Sequence, residues 1–101
     1  MGMDLRPRKP HKNHPATAGG FPVWGRYSWH GWKVLIGYLN MWGVDTSEFD
    51  VWNEGRPISA QTTKLVADAL ERHLPELPKE EQKWLQHHIV LWRTCGGYWQ
   101  W

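Results

Sequence analysis

The stretch Ser28-Trp29-His30-Gly31-Trp32-Lys33-Val34-Leu35-Ile36-Gly37-Tyr38-Leu39-Asn40-Met41-Trp42-Gly43 decides how the rest of the chain is read. Within it Trp32, Leu35, Ile36, Leu39 and Trp42 recur at helical spacing. Ser28 has the side-chain oxygen an N-cap needs, and Gly43 offers the left-handed stop. Gly31 and Gly37 each weaken such a helix by about 1 kcal/mol relative to Ala. The pattern therefore predicts a helix over 29–42 whose glycines admit something close, a neighbouring backbone or a ligand.

Upstream, Phe21 to Tyr27 is rich in aromatic residues and Val, and it reads as a short extended segment that Pro22 confines to an edge or a strand start. Downstream, 44–57 reads as a loop containing Glu48 and Asp50, with turn chemistry at Asn53-Glu54-Gly55. Ser59 caps a second helix from about Ala60 to Leu74, with Val66, Leu70 and Leu74 as its stripe and Leu65 and Ala69 beside it. Pro75 ends it. A third helix opens near Pro78, carries Glu80 and Glu81 at its positive end, and presents Leu85, His88, Trp92 and Cys95 before Gly96-Gly97 stops it. Tyr98 to Trp101 alternates like a strand, and its natural partner is the extended segment at 23–27.

The expected fold is α+β and mostly helical: three helices and a two-stranded antiparallel element in one compact domain over 21–101. Residues 1–20 contain three prolines and an adjacent glycine pair with few large apolar side chains, which predicts a flexible, disordered arm. The arm is basic. Residues 1–14 hold Arg6, Arg8, Lys9 and Lys12 against Asp4, while the remainder of the chain is nearly neutral. Such an arm is either a solvated tail or a grip on a phosphate-bearing partner.

Nine tryptophans in 101 residues far exceed the one or two, roughly, of average composition. A domain this small buries only about 60–65% of its unfolded surface. Nine indoles are thus expected to overflow the core into a contact surface or a subunit interface. The single cysteine, Cys95, can form no intramolecular disulfide, and the basic N-terminal residues are followed by Pro, His and Gly, not by the apolar run of a signal peptide. The apolar stretches are too short to span a bilayer. These features lead us to expect a cytoplasmic protein with no membrane partner.

The strongest binding constellation is Trp24, Arg26, Tyr27, Trp29, His30, Trp32 and Lys33, joined by the C-terminal Tyr98, Trp99 and Trp101. It interleaves flat rings with cations, the combination that stacks a base and holds its phosphate. The competing reading makes the same rings the core of a small domain short of aliphatic residues. Metal chemistry is not indicated: His88 and Cys95 stand two turns apart, about 10 Å along a helix, too far to share one zinc unaided. Cys95 at the end of an apolar stripe reads as a buried thiol, although His73, His87 or His88 would be bases for it. Glu48, Asp50 and Glu54 read as ordinary loop acids. No cofactor is expected.

The opening Met1-Gly2-Met3-Asp4, the pattern Trp29-x-x-Trp32-x-x-Leu35, the turn Asn53-x-Gly55-x-x-Ile58-Ser59 and the tail Cys95-Gly96-Gly97-Tyr98 together resemble a diffuse group of small, mostly uncharacterised Trp-rich proteins of tailed bacteriophages, prophages and bacteria. Such proteins often have Arg-Pro after the second Trp, where this chain has Lys33-Val34. The resemblance implies an accessory protein that binds without catalysing, with a host defence component or its nucleotide signal as the natural target. The expected partner is then a nucleotide, a nucleic-acid phosphate or a host protein surface, and the host cytoplasm is the setting if a phage encodes it. The alternative is a structural protein that self-associates into a homo-oligomer through its tryptophans.

Overall fold

A computed structural model describes residues 2–9, 25–49 and 55–100. The first surprise lies at the N-terminus. Met3 and Leu5 are fully buried, and Gly2–Pro7 forms strand β1 in a four-stranded antiparallel sheet. The other strands are β2 (Gly25–Ser28), β3 (Pro57–Ile58) and β4 (Tyr98–Gln100), in the order β2-β1-β4-β3.

Three expectations are corrected here, the first being that the antiparallel element has four strands and not two, because β1 and β3 join it. Residues 2–9 are not part of a disordered arm, because Met3 and Leu5 alternate with Asp4 and Arg6 and so supply one apolar face of a strand. Residues 10–20 lie outside the described residues. The expected direct pairing of the C-terminal strand with 23–27 also fails, since β1 lies between β4 and β2. Its register sets Met3 opposite Tyr27 on one side and Leu5 opposite Gln100 on the other.

Three helices pack on one face of this sheet, so the mostly helical α+β architecture holds. Helix α1 (Trp29–Met41) begins where Ser28 Oγ accepts from the Gly31 N–H at 3.0 Å. It ends in a Schellman turn: Gly43 takes φ 79°, its N–H donates to the Asn40 carbonyl, and the Val44 N–H donates to Leu39. Helix α2 (Ala60–His73) is capped by Ser59 and buries Thr63, Val66, Ala67 and Leu70. Val66 and Leu70 of the expected stripe are buried as read, but the flank that joins them is Thr63 and Ala67 in place of Leu65 and Ala69, which leaves Leu65 exposed. A 3-10 turn at Leu74–Glu76 accommodates Pro75 and leads to α3 (Lys79–Thr94), α2's main helical neighbour. Arg93 of α3 spans the two helices, reaching Asp68 at 2.9 Å and Glu71 at 2.6 Å.

The core between helices and sheet is mostly aliphatic, with a run of touching aromatic rings through it. Trp32 stacks on Phe49 at 5.3 Å, Phe49 on Trp92 at 5.8 Å, and Trp92 meets Tyr98 edge-on at 4.9 Å. The polar ends of these rings are not wasted: Trp92 Nε1 donates to the Tyr27 hydroxyl at 2.9 Å in the buried interior. Gln100 is buried too, and its amide donates to the carbonyls of Glu48 and Arg56, tying both ends of the intervening loop to β4. Among the described residues, no helix is long and apolar enough to cross a membrane.

Candidate functional site

Strand alternation sorts the aromatic residues. Tyr98 and Gln100 of β4 are fully buried on the helix side, whereas Trp99 between them is 36% exposed on the other face. Across the sheet, Trp99 stands opposite Arg6 of β1 and opposite Pro57 of β3. Arg8, one alternation beyond Arg6, holds its guanidinium carbon 4.7 Å from the centre of the Trp99 ring. Arg6, Pro7, Arg8, Gly55 and Trp99 line a cavity of about 400 Å³ on this face, which no described helix covers. Among those described lining residues none is acidic.

The Gly96-Gly97 turn fixes Arg8 in this place. The Arg8 N–H donates to the Gly97 carbonyl at 2.9 Å, and the Lys9 N–H donates to Cys95 at 3.2 Å. Gly96 has φ 66°, and a Cβ there would come within 2.0 Å of the Lys9 carbonyl oxygen. Only glycine combines that backbone angle with that approach. The turn that stops α3 therefore also docks the end of β1 beside Trp99.

The expected binding set divides accordingly. Tyr27, Trp32 and Tyr98 are core residues, corrected from flat ligand contacts: each lies on a face turned to the interior and is at most 2% exposed. Burial pushes the Tyr27 and Tyr98 phenols far above their ordinary range. Trp29 is half-buried against the core, and Lys33 is exposed on α1. Arg26 is in β2, opposite Asp4 in register. Trp24 and Trp101 lie outside the described residues. Among the described rings of the proposed set, Trp99 alone stands with the N-terminal cations on an open face, and the strand pattern at Asp4-Leu5-Arg6 was the sequence signal for that meeting.

A second concavity of about 310 Å³ opens at the start of α1, lined by Tyr27, Ser28, His30, Gly31 and Trp84. Here the Gly31 question is answered: a Cβ at Gly31 would touch the cap Ser28 Oγ at 3.2 Å and the Trp84 ring at 3.8 Å, whereas Gly37 faces open space. Near Tyr27 and Trp84, His88 has its ring 4.6 Å from that of Tyr27, and its Nδ1 is buried without a partner. Burial, with a smaller contribution from His87, lowers its pKa to about 4. Cys95 is also enclosed, and burial pushes its thiol up, away from the thiolate a nucleophile requires. Among the described residues no group of His, Cys, Asp and Glu is arranged to hold a metal ion.

No protein family, curated protein or solved structure matches this chain.

Proposed function

We infer that the chain is a non-enzymatic binding protein whose uncovered sheet face takes a planar, phosphate-bearing ligand, a nucleotide unit either free or within nucleic acid. The observation that carries this reading is the half-open Trp99 ring flanked by Arg6 and Arg8 on a face no described helix covers. An indole offers a stacking surface of any base's shape, and guanidinium groups bond phosphate oxygens in a planar fork. The same charge speaks against a two-fold contact of this face with its own copy, because like cations would meet. The reading takes the cytoplasm as the setting, the host's if the resemblance to phage accessory proteins is followed.

A self-associating protein is the second reading, and a different place favours it. Leu65, 49% exposed, lines a groove of about 380 Å³ with Trp42, Val44 and Ala69. Calorimetric titration with adenosine nucleotides and a short oligonucleotide, beside a sizing column, separates the two. Ligand binding that Trp99→Ala weakens about tenfold or more supports the first reading. A stable oligomer that binds neither probe supports the second.

A further inference from the structure

Resting on the reading of the uncovered sheet face as a phosphate and base site, we propose that its ligand is an extended single strand of nucleic acid. The strand's backbone follows the chain from Arg6 in β1 to Arg8 and Lys9 just past it, with one base laid on Trp99.

The succession of the cations is the first argument. Arg6 lies in β1 and Arg8 in the bend just past the strand's end at Pro7, and both line the cavity beside Trp99. Lys9, also exposed, continues the run. Asp4 precedes it and stands opposite Arg26 in register, so the basic residues of this segment run from Arg6 to Lys9. A row of separated cations suits a polyanion.

Among the described residues at this cavity, the way a free nucleotide is usually held is not seen. Tight polyphosphate sites gather backbone N–H groups at a helix start or a glycine-rich loop around one cluster of charge. The Arg8 N–H is already spent on the Gly97 carbonyl, and the charged donors among the described lining residues are guanidinium side chains. A duplex is unsuited for another reason. Its base faces are stacked away, whereas Trp99 offers an indole on a residue that is 36% exposed and already carries the Arg8 guanidinium against its ring.

The test is fluorescence anisotropy with a labelled eight-residue thymidine oligonucleotide, competed by unlabelled strands of two, four and eight residues, by thymidine monophosphate and by a duplex of the same length. Affinity is expected to climb at least tenfold from the monophosphate to the octamer. It should fall as salt rises, and Arg6→Gln and Arg8→Gln should each lower the log–log salt slope by about 0.7. Trp99→Ala should weaken the octamer by about 5- to 100-fold with the slope unchanged, and Trp99→Phe should restore most of the loss. Lys64→Gln on α2 should change nothing, and circular dichroism checks that each variant is folded.

Competition by the monophosphate as effective as by the octamer, or a duplex bound as tightly, overturns the strand assignment while leaving a planar phosphate ligand in place. No binding of any probe overturns the underlying reading as well. Equal binding by Trp99→Ala and Trp99→Phe contradicts base stacking at this ring.

Discussion

The two faces of the sheet are made by the same strands, yet among the described residues one is dry and apolar and the other carries cations and one exposed ring. On the inner face Met3, Leu5, Tyr27, Ile58 and Tyr98 join Trp32 and Trp92 in the core. On the outer face, shifted by one residue along each strand, stand Arg6, Trp99 and Pro57, with Arg8 beside them. The difference teaches that tryptophan content alone says little about function here. Parity within a strand assigns Tyr98 to stability and its neighbour Trp99 to contact, although both are large aromatic residues.

The comparison breaks most visibly if an inner-face ring can be removed at no cost. Trp92→Ala should lower stability by about 3–5 kcal/mol, since it empties a buried site and leaves the Tyr27 hydroxyl without its donor. Urea unfolding followed by circular dichroism measures this, and a loss under about 1 kcal/mol would mean that the inner face is not the core.

The dryness of that region is testable through His88. Its folded pKa of about 4 lies below the unfolded value near 6.5, so the unfolded chain takes up the proton first as pH falls. The stability linked to His88 is therefore intact above pH 6.5 and is lost between there and pH 4. Relative to His88→Phe, the wild type should lose at most about 2 kcal/mol between pH 7 and pH 5. Parallel pH profiles for the two proteins would show that the imidazole is as hydrated folded as unfolded.

The junction between the faces is sharpened by Gly96→Ala. It forces a side chain into a left-handed residue and onto the Lys9 carbonyl, at an expected cost of about 2–3 kcal/mol. Because that carbonyl belongs to the segment carrying Arg8, amide exchange at Arg8 and Lys9 should accelerate more than exchange in the middle of α3. Uniform acceleration would separate the turn from the placement of Arg8.

Much of this architecture was legible locally. Ser28 and Ser59 cap helices as their side chains suggest, Gly43 and Gly96 take the positive φ that ends them, and the apolar spacing in α1 and α3 marks buried residues. Strand β1 was not legible as such, because four alternating residues, Met3 to Arg6, are outweighed by the prolines and cations that follow them. Its place between β2 and β4 depends on pairing across almost the whole chain, which local pattern does not encode. The C-terminal strand was visible but its facing was not. Tyr98 and Trp99 are both large aromatic residues, so the alternation marks a strand without saying which of them turns inward, and it is the buried amide of Gln100, bonded to Glu48 and Arg56, that settles it.

The smallest expected stability change and the most direct test belong to one variant. Trp99→Ala removes a ring already 36% exposed and should shift the urea-unfolding free energy by less than about 1 kcal/mol, while reducing binding of the thymidine octamer at least fivefold. Measuring both quantities on the same preparation tests the division of labour between the faces. A stability loss comparable to that of Trp92→Ala, with octamer binding unchanged, would contradict it and return Trp99 to the core.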